Sequence, residues 1–575
     1  AGQAIRDRVL LPLPRDLRAG RYTVWARLRD RAAEVVAAPG APDGFLPVGA
    51  FDLVERPWWD FTRITPTDPT VQRAEVGPGA PRPPDVTGPT LVVGGDVNLG
   101  RRQNAITASE GPAAALGALP WLREADLAYA NLECVVADGG AHGVDKGERG
   151  PYYYRGRPEL LAVLEAAGID VVGTANNHTG DYGPDAVVEQ EALLDRLGLA
   201  APGSGADRAA ACAPVFRRVG DLTAAFVTID ATKAQFAATD DRPGVCHVPT
   251  SDLAAWSDFL RAAHDDARAR AHLVFLGVHW GDNGAEAPTP ELRAAGRAAV
   301  DAGFDGVLGS SAHVLHGVEV HRGRPIVYDA GNLLFDASGD EAPSALFEWV
   351  LTPGGVAQVR VHPIVTGYGS SRPAGPRAAE ILSTFARRSR ALGTDVYVDG
   401  DVGIIGLPTP PVRPGPPDAA PSDPPRWAAP GPTPVPPPGC VADVVPADAT
   451  GVAAVFGDLE LLGARVTPGE VVGRGLVHVE SWWRVRAPTG GLLDTRVVPV
   501  GHDGPTWSGA HDGCDWSWPI DRWVPGAIYR DHYAIRPPQR LPPGAYEVRV
   551  GRTDDPRGAA DDPRSIGSVS VRPAP

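Results

Sequence analysis

Five apolar runs in this sequence each lead into residues that bind metals or move protons. LVVGGDVNLG carries Asp96 and Asn98, AYANLE carries Asn131 and Glu133, and VVGTANNHTGDYG carries Asn176, Asn177, His178 and Asp181. FLGVHWGDN supplies His279, and VLGSSAHVLHG supplies His313 and His316. One polar residue after an apolar run is ordinary. Carboxylate, amide and imidazole repeated at five successive run ends make a candidate ligand set. These donors suit Mn, Fe or Zn, and a shared carboxylate can bridge two ions. One or two divalent transition metals are therefore expected, the alternative being a purely structural polar cluster.

Such residues meet only if the elements carrying them lie side by side. Thr90–Gly94, Asp170–Gly173, Ala224–Ile229, Leu273–Val278 and Asp305–Leu308 read as buried strands. Helical patterns fall between them at Pro158–Ala167, Pro184–Leu197, Ser251–Arg270 and Pro290–Ala302. Alternation of this kind predicts an α/β core with its active residues at the carboxyl ends of strands.

Taken in order, the blocks GDVNLGR, NLE, ANNHTGDYG, HWG and GSSAHVLHGVEVHRGRPIVYDAGNLLFD resemble the CapA family of poly-γ-glutamate capsule synthesis. That family is similar to calcineurin-like metallophosphatases, and the resemblance covers roughly 90–406. It implies a four-layer α/β/β/α metallophosphatase-like core with the metal site at one edge of a central β-sandwich. It also implies Asp96 and His313 as ligands of a first metal, with Asn98 where phosphatases place a histidine. Glu133 then stands where a carboxylate bridges, and Asn177 and His279 match ligands of a second metal. His178 matches the histidine that protonates a leaving group or steadies the transition state, work that suits an imidazole near neutral pH. Asp96 and His178 are thus the expected catalytic pair.

The chain departs from the family at GSSAHV, where GHHPHV is common, so Ser310 and Ser311 replace two histidines. Ser311 falls where the second metal would take a ligand. A hydroxyl is a much weaker ligand than imidazole, so a loosely held or empty second position is expected. His316 stands where glutamine is usual, but its spacing aims it elsewhere on a simple strand. Asn98 is open to two readings, an oxygen ligand or an outer hydrogen-bonding partner. Among Arg101, Arg102, Lys146, Arg149 and Arg155, the preferred pair for an anionic substrate is Arg101 and Arg155, in or beside family-like blocks. Solvated loop charges are the alternative. Tyr152, Tyr153 and Tyr154 either line the cleft or anchor a loop.

The chain has 575 residues, enough for two to four domains. Its 54 Lys plus Arg against 70 Asp plus Glu leave a net charge of −16, which argues against nucleic acid as a partner. Proline crowds Leu407–Pro438, which reads as a semi-rigid extended spacer, and a weaker boundary lies at Gly77–Pro89. The expected organisation is a partial β-sandwich at 1–58, a linker at 59–88, the CapA-like domain at 89–406, a Pro-rich linker at 407–447 and a β-sandwich at 448–575. The flanks are related: Ile5–Asp30 and Tyr529–Asp554 share an Arg–Asp pair, a Leu–x–x–Gly–x–Tyr–x–Val spacing and a closing Asp. Both lead to a terminal strand, at Val48–Val54 and Ile566–Val571. They resemble accessory modules beside catalytic domains of cell-surface proteins. Trp482, Trp483, Trp507, Trp516, Trp518 and Trp523 either fill the second module's core or stack on carbohydrate.

The five cysteines form no CxxC pair, and most are expected to be small buried hydrophobes. No apolar run approaches the ~18 residues of a membrane span, and no signal peptide is visible. The chain has no methionine, and its first residues read as the middle of a domain, so a longer precursor is expected. The modules and spacer suit an extracytoplasmic, cell-surface protein. The resemblance implies a metal-dependent hydrolase or transferase, phosphoesterase- or amidase-like, acting on an anionic polymer or peptide of the capsule or cell envelope. A metal-dependent peptide epimerase of the same fold is one alternative. A non-catalytic surface scaffold with a degenerate site is another.

Overall fold

The computed structural model describes residues 20–27, 45–53, 82–141, 144–147, 151–335, 341–367, 369–408, 436, 439–472, 476–501, 506–516, 518–535, 542–555 and 560–572. Most of the N-terminal piece, most of both expected linkers, and Arg149 lie outside the described residues. The chain divides into two compact units, 1–81 and 82–575. In the first, strands Gly20–Arg27 and Phe45–Leu53 pair antiparallel.

The second unit is mixed α/β, with two large sheets in its core. The nine-stranded sheet is ordered Tyr397–Asp399, Val402–Gly406, Gly355–Gly367, Ala342–Thr352, Thr90–Val97, Leu127–Leu132 and Val171–Gly173, with Asn332–Leu334 and Ser370–Pro373 paired beside this path. The six-stranded sheet is ordered Val318–His321, Arg324–Val327, Gly306–Ser310, Leu273–His279, Leu222–Asp230 and Val215–Val219. Successive side chains on a strand face opposite ways, so strands covered on both faces read as unbroken apolar runs. Leu91, Val93 and Tyr129 pack with Phe226, Phe275 and Leu308 of the other sheet. Their neighbours Val92, Ala128 and Val172 face Leu116, Leu161 and Leu164 from helical segments. Ala225, Val227, Val274 and Leu276 likewise pack with Trp256 and Leu260 of helix Leu253–Arg268, and with Ala295 and Ala299 of helix Pro290–Ala302. Each buried Leu or Phe contributes about 1.5–3 kcal/mol, so Phe226→Ala would cost about 3–5 kcal/mol.

Local chemistry sets the helix limits. Asp252 accepts from the amides of Ala254 and Ala255 at 3.1 and 3.0 Å. Thr289 accepts from Leu292 N at 3.3 Å with Pro290 following, and Gly303 at φ 118° ends that helix. Among the described residues, no helix is long and apolar enough to cross a membrane.

The C-terminal region holds two five-stranded sheets. Trp482, Trp483, Trp516, Trp518 and Trp523 are all buried. Trp483, Trp518 and Trp523 share the core between the sheets with Leu459, Val479 and Val548. The side chain of Trp507 lies outside the described residues. The region docks on the α/β core through Arg157–Asp521 at 2.7 Å, Arg102 Nε to Ala510 O at 3.3 Å, and Arg522–Asp138.

The cysteines correct an expectation. Cys212 pairs with Cys246 and Cys440 with Cys514, while Cys134 is a buried thiol. Pairing depends on nearness in space, here Cα separations of 4.9 and 5.6 Å, across 34 and 74 residues of sequence that carry no spacing signature.

Candidate metal centre

The site is built where the two sheets present neighbouring strand ends. Asp96 sits near the end of Thr90–Val97, Glu133 just after Leu127–Leu132, and His279 at the end of Leu273–His279. One ligand atom from each of these three buried residues lies within 4.8 Å of the others. Backbone contacts set the approach. Asp96 N donates to Gly331 O at 3.0 Å, and Glu133 N donates to Val97 O at 2.8 Å. Gly95 permits the first contact, since a Cβ there would lie 1.7 Å from Gly331 O.

Two histidines complete the group. His313, in left-handed backbone at φ 59°, places Nδ1 3.2 Å from Asp96 Oδ2, 3.7 Å from Glu133 Oε2 and 2.9 Å from Asn332 Oδ1. His178 places Nε2 3.9 Å from Glu133 Oε1, while its Nδ1 is 2.6 Å from Asp181 Oδ2. The buried Lys146 ammonium donates to Asp181 Oδ1 at 2.6 Å and to Tyr152 O at 3.1 Å. Asn176 secures the turn bearing Asn177 and His178, accepting from His178 N at 3.0 Å and donating to Leu132 O at 2.8 Å.

Electrostatics mark the same group. Burial pushes Glu133 well above the usual carboxylate range. Burial also opposes ionisation of Asp96, but the hydrogen bond and charge of His313, with His279 beyond, hold it below its ordinary value. Burial lowers His313, yet the Glu133 and Asp96 carboxylates lift it to about 10. His279 is lowered by burial, and His178 falls to about 4 through burial and the Lys146 charge, against the pull of Asp181. The carboxylates thus draw positive charge toward themselves.

The donors fit a metal. Glu133 Oε2, His279 Nε2 and Asn177 Oδ1 are buried and have no hydrogen-bond partner among the described residues. An unsatisfied buried acceptor costs about 1–3 kcal/mol, and a cation relieves that cost. His279 Nδ1 lies 3.2 Å from Ser310 Oγ. Asn131 Nδ2 stands at the same 3.2 Å from Nδ1, so the two groups hold this edge of the ring and turn Nε2 toward Glu133 Oε1, 3.8 Å away. Ser310 therefore supports His279 rather than replacing a ligand.

The remaining expected residues are placed differently. Ser311 Oγ donates to Gly281 O at 3.3 Å, and its amide to Asp96 Oδ2 at 3.3 Å. Asn98 Oδ1 accepts from Gly100 N at 2.8 Å, shaping the loop after Asp96 and favouring the outer role. His316 Nε2 bonds Ala285 O at 2.8 Å. Arg155 is not brought into the group. The residue is 6% exposed, and its guanidinium donates to Asp138 O and Gly139 O at 3.2 and 3.1 Å and lies over the Tyr182 ring. That commitment gives Arg155 a part in loop packing in place of the expected substrate contact. Arg101 stands at the rim, its guanidinium 5.6 Å from the Tyr154 ring, which packs on His178 at 4.1 Å.

Three residues support the group through contacts that their spacing does not show. Asn131 donates to Asp96 Oδ1 at 2.7 Å and lies 3.2 Å from His279 Nδ1. Asp329 ties the His313 loop to the following turn, accepting from Ala312 N at 2.6 Å and Gly331 N at 2.8 Å. Lys146 reads from sequence as a substrate cation but is buried on Asp181. The signal for Asn131 was its place in the NLE block, and DAGN holds Asp329 and Asn332. The group opens on a cleft of about 710 Å³ lined by Lys146, Asn177, His178, Lys233, Ser311 and His313 among others.

Residues 90–337 match the family model described as bacterial capsule synthesis protein PGA_cap. The capsule biosynthesis protein CapA of Bacillus anthracis is 28% identical over 287 residues, 49% of this chain and 69% of that protein. The PGA biosynthesis protein CapA of Bacillus subtilis is 28% identical over 275 residues, 47% of this chain and 70% of its own length. A probable polyglutamine synthesis accessory protein of Mycobacterium tuberculosis is 30% identical over 220 residues, 37% of this chain and 57% of its own length. Asp96, Asn98, Glu133, Asn177, His178, His279 and His313 all fall inside the matched segment, and that segment, residues 90–337, is a CapA-family domain of the bacterial capsule synthesis type.

Proposed function

We propose that this protein is a metal-dependent hydrolase or transferase acting on an acidic capsule or envelope polymer of the poly-γ-glutamate type. The observation that carries the reading is the convergence of Asp96, Glu133 and His279, with unpartnered buried acceptors, behind His178 and His313, which line a large cleft. The names of the relatives supply the polymer class. We read 89–406 as the catalytic domain, its two sheets and covering helices as the four-layer metallophosphatase-like arrangement, and 448–575 as a β-sandwich module.

Asp96, Glu133 and His279 would hold one divalent ion, with His313 and Asn177 as additional donors. The ion supplies Lewis-acid polarisation of a phosphoryl or carbonyl oxygen and neutralises negative charge. Ser311 spends its hydroxyl on Gly281 O, which favours a single well-held ion over two. Asp181 fixes the His178 ring through Nδ1, leaving Nε2 to give or take a proton at the substrate, and Lys146 holds Asp181 in place. Lys233 brings a cation to the cleft, and Arg101 lines the smaller pocket beside it. The two disulfides favour an oxidising compartment outside the cytoplasm.

The test is incubation of the manganese-loaded full chain with poly-γ-glutamate and, separately, with a phosphate monoester. Chain shortening and phosphate release are the readouts. Turnover of at least one, falling about 10²–10⁴-fold in His178→Ala with metal retained, is expected. Metal binding without reaction on either compound would overturn the enzymatic reading.

A further inference from the structure

The main cleft does not end at the catalytic domain. Tyr152, at 47% exposure, lines both this cleft and a second pocket of about 170 Å³. The second pocket is walled by Arg101, Tyr152 and Tyr153 on one side and by Asp515, Trp516 and Tyr533 of the C-terminal region on the other. Arg101 is the hinge between them. It stands five residues beyond Asp96, in left-handed backbone at φ 57°. Its guanidinium lies 5.7, 5.6 and 5.5 Å from the ring centroids of Tyr152, Tyr154 and Trp516. Tyr154 in turn packs on His178, so an unbroken line of side chains runs from Glu133 to the C-terminal module.

The facing turn is built for this position. Cys514, Asp515 and Trp516 are three successive non-glycine residues at φ 55°, 52° and 66°. Such backbone persists only where its surroundings hold it, and it gathers at ligand clamps and functional loops. Here it is held by the Cys440–Cys514 bond, by Trp516 packing with Leu492, Ala510 and Ala105, and by Arg102 donating to Ala510 O.

We propose that the C-terminal module forms a second substrate subsite of the cleft, taking a further carboxylate-bearing unit of an extended acidic amide-linked chain. Trp516 is its floor, Tyr152 its shared wall, and Arg101, whose charge also acts on Asp515, the cation for a carboxylate. A methylene stem lies against the aromatic faces, which suits a γ-linked glutamyl unit. This rests on the polymer reading above and deepens it, because the module lies outside the segment shared with the family model.

The experiment compares a poly-γ-glutamate decamer with the γ-glutamyl dipeptide, each titrated calorimetrically into the metal-loaded full chain. The wild type should bind the decamer at least about tenfold more tightly than the dipeptide. Tyr152→Ala and Trp516→Ala should each remove most of that advantage while metal stoichiometry persists. Tyr152 is half exposed, so its variant decides the matter if Trp516→Ala disturbs the module. An unchanged decamer advantage in the variants, or equal affinities in the wild type, overturns the subsite and leaves the polymer reading standing. A metal-loaded wild type that binds neither compound overturns both.

Discussion

Glu133 of the α/β core and Glu480 of the C-terminal region are both buried glutamates, at 1% and 8% exposure, yet their surroundings are opposite. Glu480 Oε1 accepts from Arg530 Nε at 2.9 Å, and Oε2 from Arg465 Nε at 2.6 Å. Burial opposes its charge, but the two guanidinium groups overcome this and hold it down to about 2. Glu133 Oε2 has no hydrogen-bond partner among the described residues, and burial pushes the group well above its ordinary range. A buried carboxylate with its own arginines is fastened to the fold. One whose acceptor stays open, beside Asp96 and His279, awaits a cation from elsewhere. Glu480 is thus spent on the stability of its own region, while the strand ends of the core keep their charges for a ligand.

The sharpest way to break this contrast is Glu133→Gln, which keeps shape and removes charge. Metal affinity should fall by at least about a hundredfold, measured by chelator competition. The metal-free variant should be as stable as the wild type or more so, because burial opposes the Glu133 charge and the amide carries none. Glu480→Gln should do the reverse, costing about 1–3 kcal/mol in denaturant unfolding with metal content unchanged. The range is modest because the Arg465 and Arg530 side chains stay about a third exposed, at 31% and 35%.

Acid sharpens the same comparison. The Glu480 value is depressed from 4.5 to about 2, so its contribution is complete above about pH 4.5 and is lost as pH falls through about 2. Unfolding monitored by tryptophan fluorescence should show a loss over this window that Glu480→Gln lacks. The smallest effect expected is from Ser310→Ala. Removing the hydroxyl beside His279 Nδ1 should weaken metal binding about tenfold without a change in fold. An unchanged affinity would show that Ser310 does not orient the ring.

Much of the centre was legible because strand ends are legible. Asp96, Glu133 and His279 each follow an apolar run, and parallel neighbours carry such ends to one edge. Arg155 was misread because its place beside a family-like block says nothing about where a long side chain turns, and it turns to the Asp138 and Gly139 carbonyls. Lys146 and Asp181 are partners across 35 residues, and no periodicity joins them. The disulfides and the approach of Trp516 to Arg101 are likewise products of tertiary packing. The long hairpin Ala342–Thr352 and Gly355–Gly367 also escaped the strand–helix reading, since it enters the nine-stranded sheet without a helix between its strands.

The central claim is that Asp96, Glu133 and His279 form a metal centre, and bound metal tests it most directly. The full chain and its Asp96→Ala variant would be incubated with Mn, Zn or Fe, desalted, and analysed by elemental mass spectrometry. About one tightly held equivalent is expected in the wild type and none in the variant. Equal metal in both, or none in a folded wild type, would contradict it.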